Sequence, residues 1–330
     1  MADQNIYGEN SEINWRLDET FVYGTLVRPV GAGPFPAVVM VAGSGPTDRD
    51  WNSPLLPGSN GSARLLAEEF ARVGIASLRY DKRVSGPHGR EQLPHLLGKI
   101  SMQSFADELA GAVQAIANQE YVRADRIFAV ANSEGTLHAL NYQLQQPEIP
   151  FAGLVLIGPP GRSVGAVARS QLAAQAAGIP NGEALLALYD ASITRFLAGE
   201  PIDPDPALPE GVQMLLKSLA TPMNLPFSRE LWLADASPLL KQVSVPVLVV
   251  IGKKDIQIGW QADGEPLQRA TEGHEGITFL FPENANHVLK YEPRPLSELI
   301  TAGVSGYNGP ETHLDSQALS DILAWLAAHI

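Results

Sequence analysis

Six short, nearly uninterrupted apolar runs constrain this 330-residue chain more than any other feature. They are Ala37 to Ala42, Ile75 to Leu78, Ile127 to Val130, Leu154 to Ile157, Val245 to Ile251 and Ile277 to Phe281. A strand reads this way when both faces of its sheet are covered, as in parallel sheets. Helical spacing falls between the runs. Leu65, Leu66, Phe70 and Val73 share one face of Ser62 to Val73, with Gly74 placed to stop that helix. Phe105, Leu109, Val113 and Ile116 do the same in Ser104 to Asn118, where Ser104 is the expected N-cap. A last helix is predicted over Ser316 to Ala328. Ile13 to Val27 alternates around Asp18-Glu19 and predicts an antiparallel hairpin ahead of the sheet. The pattern implies an α/β chain: a mostly parallel central sheet with helices on both faces.

One interval breaks the alternation. Between Gly158 and Leu240 there are only Ala/Leu-rich helical stretches, Val167 to Ala177 and Glu183 to Ala198, followed by proline-rich punctuation from Pro201 to Pro209. A structureless loop of that length is improbable, which predicts an inserted helical cap. The expected organisation is a core in two parts, residues 1–158 and 239–330, interrupted by a cap over 159–238.

Composition narrows the function. A net charge of −13 without a basic cluster argues against nucleic acid or an anionic membrane as partner. The absence of cysteine excludes disulfides, thiolate-bound zinc, iron–sulfur clusters and a cysteine nucleophile. Met1 to Glu9 is polar and acidic, unlike a secretory signal, and no apolar run approaches the ~20 residues of a bilayer span. A cytoplasmic protein, monomer or homodimer, is expected. His88 and His95 lie in a Gly/Pro loop without carboxylates at ligand spacing, so neither a metal nor another cofactor is expected.

Parallel sheets present their chemistry at the carboxyl ends of their strands. The run Ile127 to Val130 ends in Ala131-Asn132-Ser133-Glu134-Gly135-Thr136, where a helical pattern starts at once. That layout suits a serine nucleophile on a strained strand-to-helix turn. The alternative is an ordinary N-cap serine. Other strand ends favour the nucleophile. Gly252-Lys253-Lys254-Asp255 supplies a carboxylate able to orient an imidazole, and Pro282 to His287 supplies the imidazole. Asp263 is a rival acid further from its strand end. Ala42-Gly43-Ser44-Gly45 offers a backbone N–H at Ser44 as one oxyanion donor, beside that of Glu134. Asp48, Arg49 and Asp50 are expected to hold this loop through ion pairs with Asp81 and Arg83. Trp232 and Trp260 are candidates for an acyl pocket or for ordinary packing.

With these residues assembled, the chain resembles the α/β-hydrolase superfamily. It is similar to bacterial serine esterases with a G-S-G-P-x-D-R-D oxyanion loop and an R-Y-D-K-R-G segment, here Gly43 to Asp50 and Arg79 to Val84. The order Ser133, Asp255, His287 is the order that superfamily uses. Such relatives carry G-H-S-x-G-G at the elbow. Here Ala131 replaces the first glycine and Thr136 adds bulk, while Val84 replaces a glycine and implies a local loop adjustment.

The resemblance implies hydrolysis of small to medium carboxylic esters through an acyl-enzyme on Ser133, with His287 as base and Asp255 as its orienting acid. Activity is expected to fall on acidification, since a histidine base ordinarily titrates near ~6.5. The same triad serves thioesterases, lactonases, peptidases and acyltransferases. A binding protein on this scaffold would be expected to lack a triad member.

Overall fold

The computed structural model describes residues 8–56, 58–303, 307–309 and 312–330. Residues 1–7, most of the polar N-terminal stretch, lie outside them. The hairpin forms from β1 (Gly8–Leu17) and β2 (Thr20–Pro29), with Asp18 at positive φ in its turn. Then follow β3 (Phe35–Val41), α1 (Ser62–Arg72), β4 (Ala76–Tyr80), α2 (Gly89–Leu96), α3 (Met102–Ala117), β5 (Val122–Asn132), α4 (Glu134–Leu144) and β6 (Gly153–Ile157). Five helices come next: α5 (Val164–Ala176), α6 (Gly182–Leu197), α7 (Glu210–Leu219), α8 (Phe227–Leu233) and α9 (Ala236–Leu240). The chain returns to the sheet with β7 (Val247–Val250), α10 (Gly264–Ala270), β8 (Ile277–Leu280), α11 (Leu296–Ala302) and α12 (Ser316–His329).

One eight-stranded sheet results, ordered β1-β2-β4-β3-β5-β6-β7-β8 and parallel from β4 to β8. Its apolar runs split by parity. Ala37, Val39 and Val41 of β3 face one core with Ile127, Ala129 and Ala131 of β5. Val38, Met40 and Ala42 face the other core with Phe128 and Val130. Successive side chains on a strand point to opposite faces, so a strand covered on both sides must be apolar at every position. The first core is covered by α3, α4, α9 and α10 through Leu109, Leu137, Leu240 and Leu267. The second is covered by α1 and α12 through Leu66, Phe70, Ile322 and Trp325.

The strand order places the site. After β3 the chain adds β4 on one side, then crosses to β5 on the other. The carboxyl ends of β3 and β5 therefore diverge from a switch point, where open α/β sheets leave a crevice. The helices between β6 and β7 have their own apolar cluster of Tyr189, Phe196, Leu208, Leu216 and Trp232. No helix among the described residues is long and apolar enough to cross a membrane.

The N-cap of α3 is Ser101, not Ser104. Ser101 is extended, and its hydroxyl accepts from Ser104 N while Ser104 Oγ accepts from Ser101 N, a reciprocal box. A tertiary contact decides between the two serines. Ile100 bridges Pro226 and accepts from Phe227 N, which keeps the backbone extended up to Ser101. Ser101→Ala is expected to lower stability by about 1 kcal/mol in equilibrium urea unfolding, the typical loss for an N-cap hydroxyl.

Candidate active site

Ser133 sits between β5 and α4 at φ 53 and ψ −123, a conformation that a residue with a Cβ rarely adopts. Such a backbone costs ~1–3 kcal/mol and persists only where its surroundings hold it. Here Ser133 N donates to the Ile157 carbonyl at 2.8 Å. The Ser133 carbonyl accepts from Thr136 N at 2.9 Å and from Thr136 Oγ1 at 2.6 Å. The bulk expected of Thr136 is thus a hydroxyl that secures the turn. The two elbow positions flanking Ser133 are not equivalent. A Cβ on Gly135 would lie 2.6 Å from the carbonyl oxygens of Val41 and Ala42, so the start of α4 can abut β3 only with glycine there. Ala131 faces the first core between Val41 and Leu156, where its methyl is accommodated.

Asp255 and His287 come together from the loops after β7 and β8. Asp255 Oδ2 accepts from His287 Nδ1 at 2.7 Å. The other oxygen, Oδ1, accepts from Gln257 N at 2.7 Å and Ile258 N at 2.9 Å, so the carboxylate cannot swing away. Three residues missed in the sequence complete the setting. Asn132 Nδ2 donates to the His287 carbonyl at 2.9 Å and so ties the histidine loop to the residue preceding Ser133. Gly158, at φ 60, clears the imidazole: a Cβ there would lie 3.2 Å from His287 Nδ1 and 3.4 Å from Asp255 Oδ2. Lys82 is the third. Asn132 occupies the variable position of the elbow motif and Gly158 a loop whose neighbours are distant in sequence, so no local signal marked them.

The rival acid is engaged elsewhere. Asp263 is fully buried and takes Arg162 Nε and Nη2, both at 3.0 Å, with Gly259 N at 3.1 Å. His274 Nε2 bonds the Val243 carbonyl, and His138 packs between Phe105 and Phe227. Among the described residues the Ser133 hydroxyl makes no hydrogen bond with His287; such bonds are often long before substrate is bound.

A cavity of about 160 Å³ opens at Ser133. Ser44 and Glu134 line it with Ser133, as do Val164, Val167 and Gln171 of α5; Asp255 and His287 do not line it. Gly43 passes so close that a Cβ there would meet Ser133 Cβ at 3.3 Å. Among the described residues, neither Ser44 N nor Glu134 N donates to an acceptor within the protein. The two tryptophans do not form the cavity wall. Trp232 belongs to the cluster of the inserted helices, and Trp260 packs on Phe281 with ring centroids 5.7 Å apart. No group of three or more His, Asp or Glu among the described residues could hold a metal ion.

The loop after β3 is fixed largely by the expected charges. Arg49 binds Asp81 through its backbone N–H at 2.9 Å and its guanidinium at 3.1 and 2.7 Å, and Asp50 pairs with Arg79. Asp48 accepts from Asp50 N and Asn52 N, both at 2.9 Å. Arg83 is the exception, turning instead to the buried Glu108 at 3.2 Å. Val84 stands at positive φ, 63, a backbone region that favours glycine.

Glu134 carries a second electrostatic feature. Burial opposes its ionisation, but the Lys82 charge and hydrogen bonds from His138 and Lys82 outweigh it and hold the carboxyl at about 2. Burial pushes His138 down, overriding the Glu134 interactions that would raise it. A neutral His138 donating through Nε2 to Glu134 Oε1 at 3.1 Å leaves Nδ1 as a bare acceptor, consistent with its lack of a partner. Because the folded carboxyl titrates below its ordinary 4.5, its stabilising contribution is full above that pH and is lost as pH falls toward 2. Glu134→Gln is therefore expected to lower the thermal midpoint at neutral pH and to flatten its decline across that acid window, as read by differential scanning calorimetry.

Residues 38–300 match the alpha/beta hydrolase family. Esterase EstD from Thermotoga maritima is 26% identical over 312 residues, covering 92% of this chain and 65% of that protein. The chain thus spans 65% of that relative's length. Among solved structures, the alpha/beta hydrolase GrgF from Penicillium sp. sh18 superposes with a TM-score of 0.58 at 18% identity, over 97% of this chain and 99% of that one. Proline iminopeptidase from Mycobacterium smegmatis gives 0.56 at 13% identity, over 97% and 98%. At these identities the two structures speak for the fold alone. The family match runs through the strands whose ends carry Ser133 and Asp255 and the loop that carries His287, and by it the chain belongs to the alpha/beta hydrolase family.

Proposed function

We propose that this protein is a serine carboxylesterase acting on small carboxylic esters, of the type with a G-S-G-P-x-D-R-D oxyanion loop. One observation carries the reading: Ser133 opens on a cavity beside two backbone N–H groups that have no acceptor of their own among the described residues, with a buried His287–Asp255 pair tied to the adjacent Asn132. The 26% identity to an esterase supports it.

In this mechanism Ser133 Oγ attacks the ester carbonyl and its proton passes to His287 Nε2. Asp255 accepts from Nδ1, which fixes the tautomer and stabilises the imidazolium. The carbonyl oxygen, now negative, receives Ser44 N–H and Glu134 N–H, each worth ~3 kcal/mol at comparable sites. Collapse of the tetrahedral intermediate expels the alcohol, which takes the proton from His287. Water then attacks the acyl-enzyme, His287 again acting as base, and the acid leaves with Ser133 restored. The inserted helices act as a cap, since α5 supplies part of the lining of the cavity at Ser133.

The cavity sets the expected acyl size. At about 160 Å³ it is comparable to the ~150 Å³ engineered cavity that admits benzene, so it suits a few carbons rather than a long chain. A panel of p-nitrophenyl esters is expected to give its highest kcat/KM at acetyl to butyryl; an optimum at palmitoyl would overturn the size argument. Thioester, lactone and amide analogues in the same panel separate the other acyl chemistries this triad supports. Ser133→Ala should abolish fluorophosphonate labelling and lower kcat by at least about 10³-fold. Full esterase activity in that variant would refute the mechanism.

A further inference from the structure

Lys82 follows β4, and the mechanism above makes no direct use of it. Its side chain is 4% exposed. The ammonium donates to the Gly43 carbonyl at 2.8 Å and to Glu134 Oε1 at 2.7 Å, and lies 4.9 Å from the centre of the Phe105 ring. A salt bridge serving only to join β4 to α4 would need Glu134 alone. The second acceptor is informative because of the peptide it belongs to. The Gly43 oxygen and the Ser44 N–H are the two ends of one planar trans peptide, so they point in opposite directions. Holding the oxygen on the Lys82 side turns the Ser44 N–H away from Lys82, and Ser44 lines the cavity at Ser133. Glu134, the other residue Lys82 binds, carries the second free N–H.

Resting on the esterase reading, we propose that Lys82 is a positioning residue for the oxyanion site. It holds the Gly43–Ser44 peptide and Glu134 at a fixed separation. Its charge on the Gly43 oxygen also polarises that peptide, so Ser44 N–H donates more strongly as negative charge develops on the substrate oxygen. Glu134 balances the cation, so the buried charge adds no net attraction for anions at the cavity. The buried carboxylate beside Lys82 thus serves the chemistry through its neighbour, and its own backbone N–H serves it directly.

The test compares the full-length wild type with Lys82→Met and with the double variant Lys82→Met/Glu134→Gln. Fluorophosphonate labelling of the wild type, absent in Ser133→Ala, establishes the Ser133 chemistry; a wild type that does not label overturns the esterase reading and this proposal with it. Given labelling, Lys82→Met is expected to hydrolyse p-nitrophenyl acetate with kcat reduced about 10- to 100-fold and KM changed less than about twofold. The inhibition constant of a trifluoromethyl ketone, which adds to serine as an oxyanion, should rise by the same factor. The double variant removes the uncompensated carboxylate, so its thermal midpoint should return toward wild type while kcat stays low; it decides the matter if the single variant does not fold. Recovery of both midpoint and kcat in the double variant would overturn the proposal, as would undiminished kcat and ketone affinity in Lys82→Met. Either result would leave Lys82 a structural ion-pair partner only.

Discussion

Val41 of β3 lies opposite Ala131 of β5 in a parallel pair, and both strands stop within a residue of that register. From there the chain must leave the sheet twice, side by side. One exit is Gly43–Ser44. The other is the Ser133 turn, locked by Ile157 on one side and Thr136 on the other. Gly135 lets α4 start directly against the β3 carbonyls, and Gly43 lets the neighbouring loop pass within contact of Ser133. A slip of one residue between these strands would exchange every core side chain for its opposite-face neighbour and move Ser133 away from Ser44. The packing of both cores and the geometry of the candidate site therefore depend on one pairing.

Charge is concentrated around that crevice. Asp81, Lys82, Arg83, Glu108, Glu134, Asp255 and Asp263 are all buried, an unusual number for charged side chains unless each is paired. The pairs are local and specific: Asp81 with Arg49, Lys82 with Glu134, Arg83 with Glu108, Asp263 with Arg162 and Asp255 with His287. Buried pairs of this kind add little net stability compared with apolar packing, yet removing one partner is costly. Their placement is better understood as geometry. Each one ties a loop at the carboxyl edge of the sheet to another element, where backbone hydrogen bonds of the sheet no longer reach.

Much of this was legible in the chain itself, for reasons that follow from local physics. The parity-free apolar runs announced a sheet covered on both faces, and glycine marked the end of α1, with Gly74 at positive φ just past it. Ser133 was legible because an apolar run meets a helical pattern with no room for a loop. The capping serine of α3 was not, because Ser101 and Ser104 have the same chemistry and only the contact of Ile100 with Pro226 separates them. The partner of Arg83, and the choice between pocket and packing for the two tryptophans, were not legible for the same kind of reason: a long side chain can reach several partners, and sequence gives no measure of which is nearer.

The sequence by itself determined the elements, their order along the chain and the residue types available at each strand end, because periodicity, caps and breakers act over a few residues. Tertiary structure decided which of those residues meet. It set Asp255 rather than Asp263 against His287, recruited Asn132 and Gly158 around the imidazole, and joined Lys82 to both Gly43 and Glu134. These contacts link residues far apart in sequence, and their distances follow from strand order and register, which no local pattern encodes.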